Sequence, residues 1–268
     1  MNNDTYIPQT KYLESVIRSI WQVKGLRPYQ NEIIIPKGVV EIIFDLSENI
    51  PVQSNIHNKQ GLLPKCFING FNTVPIQLHL PEMQFFFGVQ FHPVAIKHFF
   101  GVPACEFTNL VIDLALLNPL FHSLWQQLAE AETFGQRVRI ICEWLEGKIF
   151  HTYPQELLLN SFMENNNHCA ITIKEFAKAA CYSTRHLSRK IHEITGMNTE
   201  QALLYKKYLH SVHLIHNTNL ALTDIAYHSN FSDQSHFIKT FKTFAHITPN
   251  EYRKSKSYVQ GHIFQNVR

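Results

Sequence analysis

One pattern constrains this chain more than any other. From Ile171 to Arg253 apolar residues recur at helical spacing with no alternating stretch to compete, and the pattern runs twice. Thr172 stands as an N-cap with Glu175 three residues on, before Ile173, Phe176, Ala177 and Ala180 mark one face of a short helix. Cys181-Tyr182-Ser183 breaks it, and a second helix follows from Thr184 to Thr195, with Leu187, Ile191 and Ile194 inward and Gly196 as its stop. Residues 198–217 read as a long amphipathic helix with Leu203, Leu204, Tyr208, Val212 and Ile215 inward. Then the unit restarts: Thr223 to Ala226 open a short helix, Asn230-Phe231-Ser232 turns, and Asp233 to Phe244 carries Phe237 and Phe241 on one face. Two helix-turn-helix units about fifty residues apart, joined by a helix, predict an all-α domain.

Charge divides the chain in the same place. Residues 1–158 hold 11 Lys+Arg and 14 Asp+Glu, a balance of −3, while residues 159–256 hold 12 and 7, a balance of +5; Arg268 completes the overall +3. Nine of the sixteen His also fall in 159–256. An acidic part joined to a basic part points to a polyanionic partner for the second one only.

The first part reads as sheet followed by helices. Glu32–Ile35 and Val39–Leu46 are rich in β-branched residues around the turn Pro36-Lys37-Gly38, and residues 49–65 are polar and read as a loop. Ile76, Leu78 and Leu80 alternate with polar neighbours. After Pro81, Met83, Phe85, Phe87, Val89 and Phe91 face one way while Gln84, Phe86, Gly88 and Gln90 face the other. Helices are expected at 117–130, 134–149 and from Pro154 to Asn165, before the run Asn165-Asn166-Asn167. The fold class is therefore α+β: a β-rich N-terminal domain, cupin-like or a small barrel or sandwich, at 1–152; the double helix-turn-helix at 153–256; and a tail at 257–268. The opening stretch has no apolar core behind a basic start, and no segment has the roughly 20 apolar residues a bilayer demands, so a cytoplasmic protein without a membrane partner is expected. Five cysteines, odd in number and without a C-x-x-C pair, read as reduced, mostly buried thiols.

The stretch IAYHSNFSDQSHFIKTFKTFAHITPNEYR, from Ile225 to Arg253, resembles the DNA-binding domain of AraC/XylS-type bacterial transcription regulators through the spacing of Phe231, Ser235, Phe237, Phe241, Lys242, Pro249, Tyr252 and Arg253. It departs from that pattern at three places: Asn230 and His246 stand where glycine is usual, and Thr199 where proline is common. Asn, and less readily His, tolerates positive φ, so the turns remain attainable. Upstream, GVVEIIFDL, Phe67-Ile68-Asn69-Gly70 and FFFGVQFHPVAIKHFFGVP are similar to an uncharacterised sensor-like domain that precedes such units. The resemblance implies double-stranded DNA as partner, a small-molecule effector or a partner acting at the N-terminal domain, a homodimer, and a contact to RNA polymerase; it implies no cofactor.

In a helix-turn-helix the second helix enters the major groove. Arg185, Ser188 and Arg189 would face it in the first unit, and Gln234, Ser235, His236 and Lys239 in the second. Arg185 and Arg189, four apart, share one face and suit guanine O6 and N7. Lys206, Lys207, Lys242, Arg253 and Lys254 are the candidate phosphate contacts, with Arg253 equally suited to packing beside Tyr252. Phe85, Phe87 and Phe91 either line an effector pocket or form core. His210, His213 and His216 recur at three-residue steps but rotate off one face, which reads as a polar stripe and not as metal ligands. The rival from another class is a small-molecule-binding or metal-dependent cupin-like barrel enzyme with a helical appendage, its ligands drawn from His79, Glu82 or His92. No nucleophile elbow, phosphate-binding glycine loop or zinc-hydrolase helix supports catalysis.

Overall fold

A computed structural model of the chain describes residues 2–26, 29–47, 52–56, 59–148, 153–164 and 172–265. The asparagine run, Cys169, Ile171 and Arg268 lie outside the described residues. The N-terminal part is built from β1 (Asn2–Tyr6), α1 (Lys11–Val16), β2 (Ile17–Leu26), β3 (Asn31–Ile34), β4 (Val40–Asp45), β5 (Gln53–Ile56), β6 (Lys59–Leu62), β7 (Cys66–Asn69), β8 (Ile76–His79) and β9 (Met83–Phe91). There follow α2 (Ala95–Phe100), a short 3-10 turn at Ala104–Phe107, β10 (Val111–Asp113), α3 (Leu114–Leu117), α4 (Leu120–Glu130) and α5 (Phe134–Glu146).

The strands form two antiparallel sheets, one in the order β1-β2-β9-β4-β7-β10 and a second containing β3-β8-β5-β6. β9 is the strand on which the rest depends. It pairs with both β2 and β4 and is buried on both faces, because the second sheet lies on one side and helices on the other. Phe87 packs toward Phe134 of α5 and Phe91 toward Phe99 of α2, while Phe85 lies under the Arg137 guanidinium. Gly88 is required where it stands: a Cβ there would sit 2.3 Å from the Trp21 indole.

Two parts of the sheet depart from the sequence reading. The polar segment expected as a loop carries the hairpin β5–β6, with Asn55 opposite Gln60, on the edge of the second sheet; an edge hairpin half-open to solvent is held by backbone bonds and needs no apolar alternation. The first 26 residues, for which sequence suggested no element, supply β1, α1 and the ten-residue β2.

The C-terminal part is helical: α6 (Pro154–Glu164), α7 (Ile173–Ala179), α8 (Thr184–Thr195), α9 (Thr199–Asn217), α10 (Leu222–His228), α11 (Gln234–Ala245) and α12 (Pro249–Ser255). The expected capping box at Thr172 and Glu175 is present, and Asn198–Gln201 and Thr248–Glu251 repeat the device. The segment after α12 does not trail away. Residues His262–Gln265 form β11, which pairs with β3 and becomes the edge of the second sheet. Buried side chains of both halves belong to one continuous apolar cluster running from Leu13 to Ile263. Tyr205 and Tyr208 of α9 are its bridge. Their hydroxyls donate to the carbonyls of Asn72 (2.8 Å) and Pro36 (3.2 Å), and their rings meet Phe71 on one side and Phe244 on the other.

Candidate nucleic-acid interface

The two helix-turn-helix units are built alike. In the first, α7 and α8 meet across Cys181 at φ 55°, and the Tyr182 amide returns to the Ala177 carbonyl. In the second, α10 and α11 meet across Asn230 at φ 59°, and the Phe231 amide returns to the Ala226 carbonyl. Each turn therefore uses a left-handed residue other than glycine. His246 ends α11 at φ 57°, as Gly196 ends α8 at φ 73°, so both departures from glycine take up the backbone form that glycine favours. Ser183 caps α8 and Asp233 caps α11, each accepting from the amide three residues on. The Asp233 carboxyl, hydrogen-bonded by the His236 amide and the Ser232 hydroxyl, is held below the ordinary aspartate value.

Leu187, Ile191 and Ile194 are buried on α8, as are Phe237, Phe241 and Phe244 on α11. That leaves Arg185, Arg189 and His192 exposed on the first unit and Gln234, Ser235, Lys239 and Lys242 on the second. The Arg189 side chain is 67% exposed, its Nε 3.8 Å from Glu193. Burial alone would raise the Glu193 carboxyl, but Lys190, Lys97 and Arg189 outweigh it and hold it below the ordinary value. Ser188 is turned aside: it is half-buried and its Oγ accepts from Thr199 Oγ1 at 2.9 Å, so the threonine in the place of a proline ties α9 to α8. His236 is half-buried against the edge of Phe231, within 3.1 Å of Ser232 Oγ. With Lys239 it lines a cleft of about 570 Å³ between the second unit, the end of α8 and Thr108 and Asn109 of the N-terminal part.

The five candidate phosphate contacts separate into three groups. Lys242 and Lys254 are exposed. Lys207 and Arg253 are half-buried and already donate to backbone carbonyls, of Asn230 (2.6 Å) and Leu220 (2.8 Å). Lys206 is not at a phosphate position at all. It is 3% exposed, lies over the Phe162 ring and donates to the Phe162 carbonyl, because the α9 face that carries it packs on α6. Sequence reasoning also passed over Lys174 and Lys178, exposed on α7, and Tyr227, 81% exposed on α10. Their only signal was a place on the polar side of the short first helices, which in such units cross the DNA backbone.

Of the two readings of the aromatic row, pocket or core, the packing of β9 fits core. Phe85, Phe87 and Phe91 pack against helices and α5's Arg137, whereas the cavity between the sheets is lined from the opposite face by Gln84 and Phe86. One residue of register separates the two, so a period-2 pattern that is apolar on both faces could not choose. The ligands of the rival enzyme reading are dispersed: His79 Nδ1 lies 2.9 Å from Asn31, Glu82 accepts from Gln30, and His92 Nε2 is 3.0 Å from the Glu14 carbonyl. Among the described residues no three His, Cys, Asp or Glu side chains converge as metal ligands would. Of the cysteines, Cys66 is buried, Cys105 and Cys142 half-buried, and Cys181 exposed in its turn, against the expectation of mostly buried thiols.

Two similar units, each presenting a polar second helix and joined by the 19-residue α9, form a double helix-turn-helix domain of the kind that the resemblance to AraC-type regulators implies. Residues 176–255 match the family described as a helix-turn-helix domain, and residues 5–113 match one described as a domain of unknown function (DUF6597). The chain is 32% identical over 92 residues to an uncharacterised HTH-type transcriptional regulator of Staphylococcus aureus strain MSSA476, a match covering 34% of this chain and only 12% of that protein. It is 28% identical over 108 residues to the HTH-type transcriptional activator AarP of Providencia stuartii, covering 39% of this chain and 80% of AarP. In fold it is similar to ToxT from Vibrio cholerae O395, solved bound to (E)-4-(8-methylnaphthalen-1-yl)but-3-enoic acid, with 10% identity over 88% of this chain and 97% of that one and a TM-score of 0.51.

Proposed function

We propose that this chain is a sequence-specific transcription regulator that reads two successive major-groove segments with α8 and α11, under the influence of its N-terminal sandwich. The observation that carries this reading is the duplication itself: two units with the same turn geometry and exposed cations on their second helices, held by one continuous helix. At 1.5 Å per residue, α9 spans ~28 Å, close to the ~34 Å between successive major-groove faces on one side of B-DNA. Arg185 and Arg189 read bases in the first unit, and Gln234, Ser235 and Lys239 in the second, with His236 and Ser188 at the margins of those faces. Lys242 and Lys254 bind phosphate, and Lys207 and Arg253 do so only by giving up their carbonyls.

The sandwich at 1–152 acts on the DNA-reading part at 153–256 through Tyr205 and Tyr208, an arrangement in which an effector biases how the two units are presented. ToxT, similar in fold, has been solved with a bound acid, which supports a ligand-responsive reading of the same architecture. A homodimer is supported by Leu116, Leu117 and Leu120, large apolar side chains exposed close together at α3 and α4. A cytoplasmic location and a contact to RNA polymerase follow from the regulatory role; among the described residues no helix is long and apolar enough to cross a membrane.

Selection of bound sequences from a random duplex pool tests the reading. Enrichment of a site with two short conserved blocks about one helical turn apart, bound with a steep inverse dependence on salt, is the expected result. Recovery of no enriched sequence, or salt-independent binding, would overturn it.

A further inference from the structure

Between the two sheets lies a cavity of about 120 Å³, whose walls come from both ends of the chain. Trp21, Gln84 and Phe86 line it from the first sheet, and Tyr258, His262 and Phe264 from the segment that follows the last helix. Gln84 is 2% exposed, yet its Nε2 has no hydrogen-bond partner among the described residues. A buried amide donor left unmade is costly, and native structures rarely leave one without a reason.

The charged groups of the cavity are, by contrast, already matched. Glu41 pairs with Lys37 at 3.1 Å and accepts from Trp21 Nε1 and Gln90 Nε2, and His262 Nδ1 lies 2.6 Å from Glu32. Glu41 stands opposite Gln90 in the β4–β9 register, six residues along β9 from Gln84, or roughly 20 Å at the rise of a strand. The unmatched donor therefore lies along β9 away from the Glu41 pair and two residues from Phe86, which with Tyr29 and Leu80 belongs to an apolar cluster separate from the main core. Among the described residues a charged ligand would find no free counterion in the cavity, and burying an unpaired charge is disfavoured. In size the space is comparable with the ~150 Å³ apolar cavity that holds one benzene.

The wall formed by the C-terminal segment is tied to the helices. The Gly261 amide donates to Tyr252 Oη of α12, and its carbonyl accepts from the Ile35 amide beside β3. Lys256 Nζ donates to the carbonyls of Ile215 and His216 near the end of α9. A ligand that binds only when β11 closes the cavity therefore holds this connection in place, and linkage makes the effect reciprocal.

We propose that the cavity binds an uncharged, mainly apolar molecule about the size of one ring, whose single hydrogen-bond acceptor takes the Gln84 Nε2 proton, and that its occupancy is coupled through β11 to α9 and α12. The regulatory consequence rests on the DNA-binding reading; the site itself does not. The test uses the full chain and two probes of matched shape: acetophenone, which carries a carbonyl acceptor, and α-methylstyrene, which has a methylene in its place. Calorimetry should show saturable acetophenone binding, about fivefold tighter than α-methylstyrene, and Gln84→Leu should bring that ratio to about one. Acetophenone should also slow amide hydrogen exchange in β11 and β3. Equal affinity of the two probes for the unaltered chain, no saturable binding of acetophenone, or unchanged exchange in β11 would each overturn the proposal. A chain that binds acetophenone and protects β11 but selects no duplex keeps the site and loses the DNA reading. One that selects a duplex but leaves acetophenone unbound does the reverse.

Discussion

Replacing Lys206 by alanine should damage the fold and leave the electrostatics of DNA binding alone, although its sequence position suggests the opposite. The side chain is 3% exposed, lies 4.4 Å from the Phe162 ring centroid and donates to the Phe162 carbonyl. Truncation removes three buried methylenes at about 0.8 kcal/mol each, roughly 2.4 kcal/mol. It also leaves the carbonyl unsatisfied, at about 1 to 3 kcal/mol. Relief from burying an ammonium offsets part of this, so a net loss of about 2 to 4 kcal/mol is expected. That is a large share of the roughly 5 to 15 kcal/mol typical of a folded domain. Lys206→Met, which keeps the apolar stem, should lose distinctly less. Urea denaturation followed by circular dichroism measures the stability, and fluorescence anisotropy against salt measures the phosphate contacts. Removing one phosphate contact lowers the logarithmic salt slope by about one, and Lys242→Ala should do so with no change in urea midpoint. A Lys206→Ala chain as stable as the parent, with its salt slope reduced by about one, would refute the placement of this lysine in the core.

Arg189→Ala should weaken binding to the selected site by about 1 to 3 kcal/mol, measured by anisotropy, with little change on random duplex or in the melting temperature, since the side chain is exposed and its pair with Glu193 is a surface pair; an equal loss on both duplexes would remove it from base reading. The imidazoles of His210 and His216 are held below the ordinary histidine value, first by burial and then by nearby cationic groups. The unfolded chain therefore binds more protons in mildly acid solution, so stability is complete above about pH 6.5 and declines as pH falls below it. Melting at pH 5.5 should come earlier than at pH 7.5, and a His210→Gln, His216→Gln chain should show a smaller difference; a flat profile in the parent would exclude the effect. Tyr205→Phe should cost about 1 kcal/mol in urea denaturation, as the buried Asn72 carbonyl loses its donor, and Gly88→Ala about 1 to 3 kcal/mol through its clash with Trp21. A parent-like urea midpoint for either variant would contradict the packing described.

The helical half was legible because its signals are local. The N-cap at Thr172, the stop at Gly196 and apolar faces such as Leu187–Ile191–Ile194 depend on residues three or four apart, and each falls where spacing puts it. The sheet half was read in part. β4, β8 and β9 carry β-branched or alternating runs, but β5 and β6 are polar edge strands whose pairing is a backbone matter. Candidate site residues divide the same way. Arg185, Arg189, Gln234, Ser235 and Lys239 are exposed as helical periodicity predicts, whereas Lys206, three residues from the half-buried Leu203, faces α6, an element whose position no local pattern encodes.

By itself the sequence determined the two-part architecture, the duplicated unit and the identity of its outward faces, since helix period, capping and glycine-like turns act over a few residues. Tertiary structure alone decided which face of β9 lines a cavity, which lysines of α9 and its surroundings are spent on carbonyls, and that the last strand returns to the sheet of the first domain. These depend on contacts between residues as distant as Glu32 and His262, where the deciding terms are burial and the matching of buried polar groups.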